Sequence, residues 1–388
     1  MTLSVDIEEA RSAALQVLRH NLHGSYAGLP RTAGWGYPEP YTRDLMISAF
    51  GILTSGDQAL IDGLRRTLEA LARNQSRLGQ IPSLAHDADD RGASDTTPLF
   101  LLALALYRET TGQPAFLDHA ARRALLWLEY QSPDDAVLVA QQPTSDWRDE
   151  QWVLGYGLYV NCLVYTCLRL YGAQERADTL RALVHRPDVR LGDGEHGHQH
   201  EGLLVPGRPY YALWSWKVLN DERFDLLGNS LAILAGIADP GRAGEIVDWV
   251  ESQCAALRAD GQLALDQPPC LLPYMQPGDP DWHPRYDQFN LPGQYHNGGV
   301  WPFICGFYVA ALVAAGRQEL ARHKLDALTG LVRAARRPGL TFGFNEWARA
   351  QDGAVAGQDW QTWSAALYLY AVTCVERGST PFFDLVRA

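Results

Sequence analysis

At 388 residues and a net charge of −12, the chain has no basic run for nucleic acid or an anionic membrane surface to grip. Its 47% hydrophobic and 20% charged residues are those of a globular protein with a large core, and its longest apolar run, 99–107, is too short to span a bilayer. The acidic first ten residues have no apolar stretch, and the six cysteines make no Cys-x-x-Cys pair, so a cytoplasmic protein with reduced core thiols is expected, without disulfides or zinc.

Helical periodicity dominates from the start. An amphipathic helix is expected over 6–21, followed by a loop rich in Gly, Pro and Tyr that ends at Tyr41-Thr42-Arg43-Asp44. Helices to about residue 53 and over 58–74 follow, separated by the turn at Gly56, and Asp95-Thr96-Thr97-Pro98 opens a very apolar helix over 99–109. The plan repeats with helices over 115–130, 151–171 and 174–185, short turns at Gly112 and Gly172, and a long loop holding Asp146. A further helix is expected over 210–219, then 222–238 and 241–257, a long irregular stretch over 266–299, and helices over 300–315, 317–336 and 361–376.

Short glycine turns at 56, 112 and 172 are spaced by about 56 to 60 residues, a period suited to helical hairpins. Each hairpin pairs a mixed-polarity helix with a more uniformly apolar one, and a helix apolar all round must be buried on all sides. The pattern therefore predicts an all-α fold, an (α/α)6 barrel of about twelve helices in two concentric rings, forming one domain over 1–388. The long loops would all precede inner helices and collect at one end, bringing Tyr41–Asp44, Asp95, Asp146, Tyr210, His296–Trp301 and Glu346 around one cavity. A loop as long as 266–299 inside a compact domain is expected to cover that site.

Two places in these loops set a carboxylate against an indole: Ser145-Asp146-Trp147-Arg148-Asp149 and Phe344-Asn345-Glu346-Trp347. Paired carboxylates are what glycoside hydrolysis needs, one protonated to assist the leaving group and the other ionised to activate water. A neighbouring tryptophan raises the pKa of an acid by desolvation and offers a face to a sugar ring. Asp146 is read as general acid or as a helix N-cap, and Glu346 as general base or as a solvated loop acid. Asp149 is a rival for either role, or a cap, or a partner for Arg148. Asp44 and Asp95 are open between capping a helix and accepting sugar hydroxyls.

Tyr295-His296-Asn297-Gly298-Gly299-Val300-Trp301-Pro302 is a dense polar and aromatic cluster whose glycines permit close backbone approach, and Gln361-Thr362-Trp363 opens the last helix. The substrate-binding set is thus Tyr41, Arg43, Asp44, Asp95, Trp147, His296, Asn297, Trp301, Trp347, Gln361 and Trp363. The histidines at 196, 198 and 200 stand in a glycine-containing loop that could bind a transition metal weakly or be solvated. Cleavage by paired acids calls for no metal or other cofactor, and no P-loop, dinucleotide fingerprint or Gly-x-Ser-x-Gly elbow is present. The expected partner is a small carbohydrate, with self-association left open.

These motifs resemble the neutral and alkaline invertases, glycoside hydrolase family 100, and more distantly the clan with family 63 α-glucosidases and glycogen-debranching domains. The matching pieces are Pro40-Tyr41-Thr42-Arg43-Asp44, Asp95-Thr96-Thr97, Ser145-Asp146-Trp147, Leu227-Gly228-Asn229, His296-Asn297-Gly298-Gly299-Val300-Trp301-Pro302, Phe344-Asn345-Glu346-Trp347 and Gln361-Thr362-Trp363. The resemblance implies the same barrel, inversion at the anomeric carbon, and acid and base roles falling on Asp146 and Glu346. Hydrolysis of a small α-glycoside is the function expected, whether sucrose, another α-glucoside or an α-mannoside. A sugar 2-epimerase working through histidines, His296 among them, and a sugar-binding protein without catalysis are the alternatives.

Overall fold

The computed structural model describes residues 4–133, 137–186, 202–217 and 219–388. The fold is mostly helical. In chain order run α1 (Val5–Asn21), α2 (Thr42–Ile47), α3 (Ala49–Ser55), α4 (Gln58–Arg73), α5 (Thr96–Thr111) and α6 (Asp118–Tyr130). After β1 (Tyr156–Gly157) come α7 (Leu158–Leu170), α8 (Gln174–Val184), β2 (Ala212–Trp216), β3 (Leu219–Asp225), α9 (Leu226–Ala235), α10 (Pro240–Ala259), β4 (Leu271–Leu272) and α11 (Tyr286–Phe289). The chain closes with α12 (Pro302–Ala314), α13 (Gln318–Arg333), β5 (Trp347–Ala348), β6 (Val355–Ala356), α14 (Thr362–Arg377) and α15 (Phe383–Arg387).

Local chemistry accounts for several helix ends. Ser4, Asp57, Asp225 and Asp239 accept from backbone N–H groups of the first turns of α1, α4, α9 and α10, the last with Pro240 in its first turn. The three glycines expected to punctuate the chain, Gly56, Gly112 and Gly172, and Gly316 after the helix over 302–314, all have φ between 66° and 76°, a region costly to other residues.

The uniformly apolar helices pack in sequence. The segment α2–α3 lies against α5, α5 against α7, α7 against α9, α9 against α12, α12 against α14, and α14 returns to α2–α3. Outside this circuit α1 and α13 cover α14, α4 and α6 cover α5, α8 covers α7 and α10 covers α9. Polarity explains the division. Every residue of α9 is buried, as is the run Pro302–Val313 of α12, whereas α4 buries only its stripe of Leu60, Ile61, Leu64, Leu68 and Leu71 and its neighbours. The close approach of α3 to α14 depends on Gly51, where an added Cβ would lie 1.9 Å from the Ala366 carbonyl oxygen.

Three expectations change. Residues 210–219 are not helical: β2 pairs antiparallel with β3, Trp214 opposite Asp221 and Ser215 opposite Asn220, in a four-stranded sheet of order β1-β2-β3-β4. Ala212 to Ser215 are all buried, so the run shows no period-2 alternation that would have marked it as a strand. A second hairpin joins β5 to β6. The helix expected from 151 begins only at Leu158, because Gly155 takes φ 67° and β1 intervenes. Asp146 therefore stands well before the helix, whose N-cap is Gly157.

All six cysteines are free and buried. Among the described residues no helix is long and apolar enough to cross a membrane. The histidines at 196, 198 and 200 lie outside the described residues.

Candidate active site

A cavity of about 310 Å³ opens where the amino-terminal ends of the inner helices meet, within the size range of small-molecule sites. Tyr41, Trp301 and Gln361 occupy the N-cap positions of α2, α12 and α14, in extended backbone and without capping with their side chains. Those side chains are thereby released to line the cavity, and three helix N-termini direct partial positive charge towards it. Of the residues expected to bind substrate, the structure brings Tyr41, Arg43, Asp44, Trp147, His296, Trp301, Gln361 and Trp363 to the cavity wall, together with Glu346. Thr32, Tyr37, Ser83, Ala93, Thr144, Asp149 and Tyr295 complete it.

Asp146, expected to act as the acid, is absent from that wall. It is 1% exposed, and both its oxygens are engaged: Oδ1 accepts from the Arg148 N–H at 2.7 Å and Oδ2 from Gln141 Nε2 at 3.0 Å. Asp146 shapes the turn instead. Arg148 points inward, forms a fully buried ion pair with Asp225 and lies 4.2 Å from the centre of the Trp147 ring. Asp225 in turn caps α9 by accepting from Leu227 and Gly228. With residues 146 and 148 anchored below, Trp147 and Asp149 face the cavity.

Removing one partner of a buried ion pair leaves an uncompensated charge, typically about 3–5 kcal/mol. Asp225→Ala is therefore expected to lose stability on that scale, measured by urea unfolding. A loss within the error of a surface substitution would mean that Arg148 finds another partner.

The two acids on the wall are held differently. Asp149 has a side chain 58% accessible, with His296 Nε2 3.9 Å from its Oδ1, too far for a direct hydrogen bond. Although the side chain is this open, desolvation by the surrounding protein pushes its pKa up, against the pull of Arg43. Glu346 starts the β5–β6 hairpin: its N–H donates to the Gln358 carbonyl and its Oε2 accepts from the Gln358 N–H, each at 3.0 Å. Desolvation lifts its pKa to about 7, helped by the charge of Asp149 and opposed by the Gln358 and Gln361 hydrogen bonds. Asp44, also on the wall, is pushed to about 8 by burial, with Arg43 opposing and Glu346 adding.

Aromatic rings make up much of the remaining surface. Trp147 meets His296, Trp301 and Phe303 edge to face, and His296 lies nearly parallel to both Tyr295, at 3.9 Å, and Trp301, at 5.5 Å. Burial drives the His296 pKa well down, so the ring is neutral, and it is the one histidine on the described wall. A second histidine, which epimerisation through a His pair would need, is not beside it among the described residues.

Four expected site residues serve the site from behind. Asp95 lies fully buried, bonded to Arg43 Nε at 2.6 Å and Nη2 at 3.2 Å and to the Tyr159 hydroxyl at 3.3 Å; it fixes Arg43 and neither caps a helix with its side chain nor reaches the cavity. Asn297 spends its amide on Met275 and Asn290, tying the 290s loop together. Trp347 leans on Tyr295 at 5.7 Å outside the wall, because strand alternation turns it away from its neighbour Glu346. Tyr210 packs with Phe224 and Trp249 beneath the sheet.

Tyr37, Ser83 and Thr32 were not singled out from the sequence; only the loop that carries Tyr37, rich in aromatics, hinted at it. Backbone strain gathers at the site: Thr144, Tyr295, Phe344 and Trp360 all have φ between 42° and 58°, and each is a wall residue or lies within two positions of one. Non-glycine residues in that region cost about 1–3 kcal/mol and persist where the surroundings over-determine them.

Residues 217–377 match the family described as alkaline and neutral invertase. The chain is 30% identical over 161 residues to cytosolic invertase 1 of Oryza sativa subsp. japonica, covering 40% of this chain and 26% of that protein. It is 29% identical over 161 residues to probable alkaline/neutral invertase D of Arabidopsis thaliana, covering 40% and 28%. The match thus spans about a quarter of the length of these relatives. In structure the chain resembles the GH63 mannosylglycerate hydrolase of Thermus thermophilus in complex with Tris and D-glycerate, with a TM-score of 0.66 at 16% identity over 93% of this chain and 99% of that one. A wild-type glycosidase is equally similar, TM-score 0.66 at 16% identity over 97% and 99%. Residues 217–377 are therefore related in sequence to the alkaline and neutral invertases, and the chain shares its fold with GH63 mannosylglycerate hydrolase.

Proposed function

We propose that this protein is a glycoside hydrolase that cleaves a small α-glycoside with inversion, using Asp149 as general acid and Glu346 as general base. The observation that carries the reading is the placement of these two carboxyls, more than a hundred residues apart in sequence, on the wall of one aromatic-lined cavity. Water, deprotonated by Glu346, attacks the anomeric carbon; the glycosidic C–O bond breaks, and Asp149 gives its proton to the departing oxygen. Inversion needs the two carboxyls about 6.5–9.5 Å apart, leaving room for that water. Trp147, Trp301 and Trp363 provide ring faces, and Asp44, Arg43, Tyr41, Tyr37 and Gln361 provide hydrogen bonds to sugar hydroxyls.

The invertase relatives and the GH63 hydrolase solved with glucose support a glucoside, sucrose included, or a mannoside as substrate. The circuit of apolar helices under an outer set supports a single (α/α)6 barrel over 1–388, and the six free, buried thiols support a cytoplasmic setting.

The test is direct. A panel of α-linked disaccharides is incubated with the protein and the first sugar released is followed by proton NMR. Initial appearance of the β-anomer is expected; the α-anomer first would replace inversion with a retaining mechanism, and no hydrolysis across the panel would remove the glycosidase reading.

A further inference from the structure

We propose that the cavity selects an uncharged leaving group, a sugar or polyol alcohol, and rejects aglycones that carry a carboxylate or phosphate. The inference rests on the glycosidase reading and deepens it by naming the class of substrate. It arises from the charges around the described wall. Three carboxyl side chains, Asp44, Asp149 and Glu346, line the cavity against one cation, Arg43. That guanidinium already faces Asp95 through two hydrogen bonds, 2.6 Å and 3.2 Å, and Asp95 is fully buried behind it. Its charge is answered from within the protein.

The surroundings continue the trend. Asp90 stands directly behind the wall residue Ser83, accepting from its N–H at 2.5 Å and from the Leu84 N–H at 2.8 Å. Glu39, Asp44, Asp90 and Asp149 all act on the Tyr41 hydroxyl, which marks the rim as acidic too. Two further cations, Arg285 and Arg336, are engaged with Glu150 and the Gly357 carbonyl, and neither lines the cavity. An anionic aglycone entering beside Asp149 would shed its hydration against carboxyls with no free guanidinium or ammonium on the described wall to receive it. Protonating Asp149 and Asp44 lessens the repulsion, and the helix N-termini lend only partial charge, so no formal cation is added to the wall.

This separates the chain from the mannosylglycerate hydrolase that shares its fold, whose structure holds D-glycerate. Fold similarity does not carry the aglycone across; the charges on the wall decide it.

The experiment uses two compounds that differ in one group. The sugar selected by the disaccharide panel is linked α to glycerol and, separately, to glycerate. Each is measured as a competitor of the best disaccharide substrate at low ionic strength. The glycerol compound is expected to compete at a concentration at least about tenfold lower, with the gap shrinking as salt is added. Equal or stronger competition by the glycerate compound, or no competition by either, overturns the proposal. Failure of the protein to hydrolyse any disaccharide is a separate result that removes the glycosidase reading instead.

Discussion

Glu346→Gln is expected to lower kcat/KM by about 10²–10⁴, the scale of a general base in a positioned site, while making the folded protein more stable above neutral pH. Both effects have one origin. Burial raises the Glu346 pKa from 4.5 to about 7, so between those values the folded chain holds a proton that the unfolded chain releases. Stability contributed by that proton is present at low pH and is lost as pH rises through about 7. A shift of this size corresponds to about 3 kcal/mol, at roughly 1.4 kcal/mol per unit. Glutamine never ionises and avoids that loss, so the variant should gain in thermal unfolding at pH 8 and gain little at pH 5. The wild-type kcat/KM should rise with pH through about 7, where the base becomes ionised, and the variant should lack that limb. A variant no more stable at pH 8 than wild type, or one retaining the limb, would assign the ionisation to another group, Asp44 first.

The second large effect separates Asp149 from Asp146. Asp149→Asn should lose a similar two to four orders of magnitude, about 10²–10⁴, on substrates with alcohol leaving groups, which need a proton. On the corresponding glycosyl fluoride, whose leaving group needs little help, the loss should be small. Asp146→Asn removes an acceptor from the Arg148 N–H or from Gln141, disturbing the turn that carries Trp147 and Asp149. Its activity should fall by a similar factor on both substrates, with a lower unfolding temperature. If the fluoride spared Asp146→Asn and not Asp149→Asn, the acid would be Asp146 after all.

Much of the site was legible because its residues sit in motifs of mixed aromatic and polar character at helix starts. Tyr41, Trp301, Gln361 and Trp363 were identified that way, and the structure places each on the wall. Glu346 was found by its pairing with an indole, although Trp347 itself turns aside. The same pairing is ambiguous at 146, where the carboxylate bonds its own loop: an acid beside a tryptophan looks the same in sequence whether it faces a ligand or its own backbone. The choice between Asp146 and Asp149 depends on where Arg148 goes, and Arg148 is drawn inward by Asp225, seventy-seven residues later in the chain. The place of Asp95 behind the wall was hidden for a related reason, since its partner Arg43 approaches from another loop.

Polarity and turn chemistry along the chain determined which helices are inner and which are outer, where most of them stop, and which loops gather at one end. Those are local properties: an all-apolar helix must be buried, and a glycine at positive φ ends a turn whatever surrounds it. Tertiary structure alone decided that residues 212–216 and 219–225 pair as strands and which of two neighbouring aspartates reaches the cavity. It also decided that Arg43 arrives already neutralised by Asp95. Each of those outcomes depends on a partner far away in sequence, and the side-chain direction and burial that follow from it are written in no single segment.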